Sequence, residues 1–311
     1  MAGELQTGGR RRWLVTAWPG MGGVAISAVV YLLSKLRMRQ VREFDARDLF
    51  ELDEAEVEDG LVRAARLPRS RLFLAEDAAP GLDLIAFLGE AQPPSGKLAL
   101  CTRLLDAARE LGAQRLVCFA AWAEGLEPSA AAHVRGVATD EAGLRELQGR
   151  GVAPVRRGRI SGLNGVLLAA AAESGLPGLG LLGEMPALAP HLPYPSASAA
   201  VLRAFCGLSG MTLDLAELEA YGERMREQLS SAYQVALKSL QGAGPEPPEE
   251  PSAPITAAGG LDEEDARRVE ELFAQAAGDR SKAFALKTEL DRLGVFRQYE
   301  DRFLSLFRPE G

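Results

Sequence analysis

Up to about residue 210, apolar residues follow two rhythms. Short apolar runs predict strands over 12–17, 41–45, 61–67, 71–75, 82–89, 114–121, 133–138 and 176–182. Over 23–38, 95–111, 140–150, 163–174 and 195–206 the apolar positions instead recur at the three- and four-residue spacing of one helix face. Leu84-Ile85-Ala86-Phe87-Leu88 and Leu116-Val117-Cys118-Phe119-Ala120 contain no polar residue. Such runs suit strands covered by helices on both faces of a largely parallel sheet, and their alternation with helices predicts the α/β class.

From 214 to 240 the pattern is that of one long helix, with Leu215, Leu218, Tyr221, Met225 and Leu229 recurring on one face. Composition then changes abruptly. Residues 241–260 hold five prolines, four glycines and three glutamates with almost no large apolar side chain, too little to offset the entropy of ordering. The stretch reads as a linker between an α/β domain over 1–240 and a small helical module over 261–311. The module opens on Leu261-Asp262-Glu263-Glu264, which places acids at the positive end of a helix dipole. Fifty residues of this kind are marginal alone, so they are expected to dock on the first domain or on a partner.

One stretch raises the question of a membrane. Arg10, Arg11 and Arg12 precede an uncharged run over 13–34, the arrangement of a signal peptide or anchor. Trp18-Pro19-Gly20-Met21-Gly22-Gly23 interrupts that run where a spanning helix could not tolerate it. A strand, a glycine turn and a helix account for the same residues, so no membrane span is expected.

Charge narrows the partners. With 35 Lys+Arg against 43 Asp+Glu, the net charge of -8 argues against nucleic acid, whose binding needs a cationic footprint. Cys101, Cys118 and Cys206 are widely separated, and His133 and His191 are the sole histidines. Neither a disulfide framework nor a metal centre is expected, no cofactor is implied, and a reducing cytoplasm fits.

Candidate chemistry is sparse. Gly20, Gly22 and Gly23 form a strand-to-helix turn that could cradle an anion at a helix N-terminus, although no Gly-Lys-Ser/Thr follows. The plainer reading is a tight turn at positive φ. A second glycine-rich element, Gly158-Arg159-Ile160-Ser161-Gly162-Leu163-Asn164-Gly165, leads into another helix. Ser161 does not sit in Gly-x-Ser-x-Gly and reads better as a helix cap than as a nucleophile. Glu90 and Glu184 follow two strands, where an open α/β sheet keeps its ligand site, and could serve as acid and base, hold a metal, or pair with Arg159 and Arg103. Trp18, Gln92 and Trp122 lie at strand ends near the same place, and packing is the plainer use of the indoles.

Taken in order, Trp18-Pro19-Gly20-Met21-Gly22-Gly23, Phe87-Leu88-Gly89-Glu90-Ala91-Gln92-Pro93, Ser161-Gly162-Leu163-Asn164-Gly165 and Leu182-Gly183-Glu184-Met185-Pro186 resemble the successive motifs of the proteasome assembly chaperone 2 family. The resemblance covers about residues 12–235. It implies a three-layer α/β/α sandwich similar to nucleoside phosphorylases, and a scaffold or assembly chaperone that acts through protein partners, often as a homo-oligomer. It carries over no catalytic residue. Some archaeal members dock through a terminal hydrophobic-Tyr-any-residue tail, which Arg308-Pro309-Glu310-Gly311 does not match. The function expected is therefore non-enzymatic protein interaction, possible proteasome-type complexes included. The alternative is a phosphorylase-like or ATP-grasp-like enzyme holding a nucleoside, phosphate or carboxylate at the strand ends, with Glu90 or Glu184 in acid–base work.

Overall fold

The computed structural model describes residues 10–44, 47–51, 55–58, 60–188, 190–242 and 261–308. At its centre β1 (Arg11–Ala17) pairs in parallel with β6 (Leu82–Gly89) on one side and β7 (Arg115–Glu124) on the other, and β7 pairs in parallel with β10 (Gly178–Pro186). These are the continuous apolar runs of the sequence, and their double burial explains why alternation is missing from them. The flanks run antiparallel: β5 (Ser70–Ala79) follows β6 and carries β2 (Arg39–Phe44), while β8 (Val134–Ala138) lies against β10. Two-residue β9 (Ala153–Pro154) closes the order β2-β5-β6-β1-β7-β10-β8-β9. The sheet is thus mixed, with a parallel centre, where the sequence suggested a largely parallel one.

Residues 61–67 do not join this sheet. Instead β3 (Ala55–Glu58) and β4 (Leu61–Ala64) form a separate hairpin. Ala-Glu-Val-Glu alternates too strongly to be buried on both faces, which is also why β3 escapes an apolar-run reading.

Successive side chains of a strand point to opposite faces. Trp13, Val15 and Ala17 of β1 pack with α1 (Val24–Lys35) and α5 (Pro195–Ser209), whereas Leu14 packs with α2 (Lys97–Glu110) and α4 (Gly162–Glu173). This makes three layers, α/β/α. Leu147 of α3 (Glu141–Gly149) joins the first cluster beside β8.

Every residue of α1 except Lys35 is buried. A helix apolar all round needs covering on its outer side, and the C-terminal helices supply it. Phe284 of α8 (Ala283–Arg292) stacks edge-on against Tyr31 of α1 at 4.7 Å between ring centroids. Phe307, just past α9 (Phe296–Ser305), meets Phe73 of β5 edge-on at 6.3 Å, and its carbonyl accepts from the Gln40 N–H at 2.9 Å. Phe273 of α7 (Glu263–Gly278) belongs to the same core cluster. Burying side chains of this size stabilises by roughly 1.5–3 kcal/mol each, so the module finds on the α/β body the core it lacks alone.

The helix α6 (Ala216–Gly242) buries Leu218 and Tyr221 against the body, while Tyr233 and Leu237 nearer its end are partly exposed. It takes in residues 241–242 of the expected linker; 243–260 lie outside the described residues. No helix among the described residues is long and apolar enough to cross a membrane. The uncharged run after Arg12 is divided among β1, the glycine turn and α1.

Candidate functional site

Beyond the carboxyl ends of β1 and β7 lies a cleft of about 450 Å3. It is built from Trp18 and Gly20 of the turn after β1, Gln92 after β6, Trp122 of β7, and Ser161, Gly162 and Asn164 around the start of α4. This is the crevice position in which an open α/β sheet holds its ligand, and it unites these seven residues, all singled out in the sequence.

The turn after β1 needs its glycines. Gly22 and Gly23 have φ values of 62° and 60°, the left-handed region that other residues enter at a cost. A Cβ on Gly22 would also stand 2.8 Å from the Met185 sulfur. Backbone bonds fix the turn from outside: the Gly22 N–H donates to the Pro190 carbonyl at 2.8 Å, and the Gly22 carbonyl accepts from the Tyr194 N–H at 2.9 Å. Gly22 is thereby a packing residue behind the cleft, and Gly23 opens onto a second crevice of about 370 Å3, bordered by Arg297 and Glu300 of α9.

At α4, Ser161 occupies the N-cap position but its hydroxyl makes no capping bond. Gln92 takes that part. Its Oε1 accepts from the Leu163 N–H at 3.1 Å, while its Nε2 donates to the Pro19 carbonyl at 2.9 Å. One side chain thus ties both glycine-rich elements together. Gly165 is required for a different reason: a Cβ there would lie 1.9 Å from the Ile160 carbonyl oxygen, so the loop ahead of α4 folds directly onto the helix.

The two carboxylates lie outside the cleft. Glu90 is buried, with Oε1 accepting from Arg71 at 2.7 Å and Oε2 from Arg66 at 2.9 Å and the Arg69 N–H at 2.8 Å. Glu184 lies 2.6 Å from the Arg135 Nε on the far side of the sheet, facing a groove with His133. Their strands are separated by β1 and β7, so these acids do not form a pair. Their partners are Arg71, Arg66 and Arg135, and Arg103 pairs with Asp48 instead. Neither His133 nor His191 lines the cleft. Burial pushes the Cys101 and Cys118 thiols up to about 12 and Cys206 to about 11, far from the thiolate needed of a nucleophile. Among the described residues no group of three or more His, Cys, Asp or Glu could hold a metal ion.

What remains in the cleft is a set of polar groups on apolar walls. The Trp122 indole donates to Glu124. Trp18 is 2% exposed, packs edge-on against Phe87, and its Nε1–H has no acceptor. The Asn164 Oδ1 likewise lacks a donor. Arg159 is the one charged side chain among the described residues lining the cleft. In the sequence Arg159 stands only as a partner for an acid, and Met21 only as a backbone amide of the first glycine turn; their place inside the two glycine-rich motifs is the signal that puts both side chains at the cleft.

The model of the PAC2 family matches residues 14–232. The chain belongs to the PAC2 family. The matched PAC2 region contains every residue of the cleft, while α7 to α9 follow it. An uncharacterized protein of Methanocaldococcus jannaschii is 25% identical over 240 residues, which span 76% of this chain and 89% of that protein. Pyrococcus furiosus PbaB, described as an archaeal proteasome activator, superposes with a TM-score of 0.60 at 21% identity, over 72% of this chain and 94% of its own. A Mycobacterium tuberculosis proteasome-assembly chaperone homologue gives 0.60 at 22% identity, over 71% and 94%. At these identities the two structures establish a shared PAC2 fold.

Proposed function

We propose that this PAC2 protein is a non-enzymatic, chaperone-like interaction protein that associates with copies of itself and with protein partners, proteasome-type subunits foremost. The observation that carries this reading is the β3–β4 hairpin. Val57 and Val62 face each other across its two strands and are 68% and 73% exposed, with Leu61 beside them at 64%. A two-stranded hairpin is marginal in water, and an apolar pair displayed on one is the kind of surface that a partner covers. The exposed end of α6, with Tyr233 and Leu237 in line with Leu229, adds a second element of the same character. The structural relatives described as a proteasome activator and an assembly-chaperone homologue supply the class of partner.

The enzymatic alternative loses its acid–base pair, because Glu90 and Glu184 are engaged by arginines outside the cleft. The test is sedimentation velocity of the purified chain mixed with purified proteasome α-subunits. A joint boundary with wild type that Val57→Asp and Val62→Asp abolish supports the reading; separate boundaries for every mixture count against the proteasome-type partner.

A further inference from the structure

The C-terminal helices meet the PAC2 body along a seam that holds a buried cluster of charge. Asp301 of α9 is held by Arg71 of β5 and, at 3.0 Å, by Arg69, and Arg71 also holds Glu90 at 2.7 Å. Beside them Glu300 of α9 is 6% exposed, and its carboxyl makes no hydrogen bond or ion pair with any described residue. It also borders the crevice of about 370 Å3 on the same seam, where Gly20, Gly23 and His191 belong to the body and Lys287, Asp291 and Arg297 to the module. The cations around it are engaged elsewhere or exposed: Arg71 by Glu90 and Asp301, Lys287 by Asp291, while Arg297 lies at the surface. A carboxylate buried without a partner, near the charge of Glu90, is costly, so the docked module holds Glu300 as the neutral acid. Burial, followed by Glu90, accordingly raises the carboxyl from 4.5 to about 8 against the pull of Arg71, Lys287 and Arg297.

We infer that α7–α9 form a pH-released cap: as pH rises, Glu300 gives up its proton to solvent and the module detaches from a PAC2 body that stays folded. Docked, the group stays protonated to about pH 8; detached and solvated, it ionises near 4.5. Between these values each opening releases one proton, so detachment becomes easier as pH rises and levels off above about 8. The PAC2 match ends at residue 232, ahead of the module, which makes the body the unit expected to persist. Detachment bares the outer side of α1, where Tyr31 otherwise packs edge-on against Phe284, and β5 where Phe73 meets Phe307. The device is independent of the hairpin-mediated association proposed above, and either can fail without the other.

Hydrogen exchange of the full chain, followed by mass spectrometry from about pH 5 to about pH 9 and corrected for the intrinsic pH dependence of exchange, reads the detachment directly. Amides of α7–α9 are expected to be less protected than those of β1 and β7 at every pH. Their protection is expected to fall about tenfold per pH unit between about 5 and about 8, the signature of one proton released per opening. Glu300→Gln, which keeps the shape and cannot ionise, is expected to remove that slope, and His191→Gln, on the exposed rim of the same crevice, to keep it. The comparison of module with sheet needs no variant, so it stays decisive even if Glu300→Gln does not fold. Module protection that does not change with pH, protection equal in module and sheet, a slope retained by Glu300→Gln, or one lost in His191→Gln would each overturn the proposal.

Discussion

Gln92 caps α4 through the backbone of Leu163, its Oε1 accepting the N–H at 3.1 Å, although Ser161 stands in the N-cap position. Because its Nε2 also holds the Pro19 carbonyl, this side chain sets the spacing of the two cleft walls. Gln92→Ala is expected to lower unfolding stability by about 1–2 kcal/mol, the value of a helix cap with its second bond. Urea denaturation should show a lower midpoint at unchanged slope. Gln92→Glu keeps the acceptor for Leu163 and loses the donor to Pro19, so it should fall between the two.

Arg71 joins the edge of the sheet to the C-terminal helices. It is 1% exposed, with Glu90 on one side and Asp301 of α9 on the other. Removing a buried charge leaves its partner uncompensated. Arg71→Met should therefore cost about 3 kcal/mol, and Asp301→Ala, which leaves the Arg71–Glu90 pair intact, about 1 kcal/mol. Hydrogen exchange localises the effect: α9 amides should exchange faster in both variants while those of β1 and β7 hold in Asp301→Ala.

Glu300 faces the same cluster. Burial, followed by the nearby Glu90 charge, raises its carboxyl from 4.5 to about 8 against the opposing pull of Arg71, Lys287 and Arg297. Between those pH values the folded chain keeps a proton that the unfolded chain releases. This group's contribution is thus fully present below pH 4.5 and declines as pH rises to about 8. Glu300→Gln should flatten that part of the stability profile, read as the urea midpoint against pH. A variant profile parallel to wild type would contradict the assignment.

Among the glycines around the cleft, Gly165 has the least room for a side chain. Gly165→Ala sets a methyl group against the Ile160 carbonyl at 1.9 Å, and relief of such overlap costs about 1–3 kcal/mol. Thermal unfolding should show the loss, with the Trp122 indole signal displaced because the 158–161 loop moves.

Much of this was legible in the sequence. The continuous apolar runs gave β6 and β7 because double burial leaves a signature that needs no partner to be read. The two glycine motifs pointed to the cleft because backbone close approach excludes a Cβ, as at Gly22 and Gly165. The antiparallel flanks were not legible, since strand direction depends on pairing between distant segments. Glu90 stands just past β6 as the sequence suggests, whereas Glu184 lies inside β10, which runs on to Pro186 instead of ending near 182, and the two side chains turn to Arg71 and Arg135. Pattern locates a residue along the chain, and only packing decides which charge it meets. Gln92 as a helix cap lay equally out of reach, being 71 positions from Leu163.

Association is proposed to run through the exposed apolar surface of the β3–β4 hairpin, Val57 and Val62 foremost. Native mass spectrometry of the purified chain, wild type beside Val62→Asp, tests it most directly. Wild type is expected at a multiple of 33.2 kDa, and Val62→Asp, with unchanged circular dichroism, as the single chain. A wild type that is a single chain at all concentrations, or an oligomer that Val62→Asp leaves intact, would contradict it.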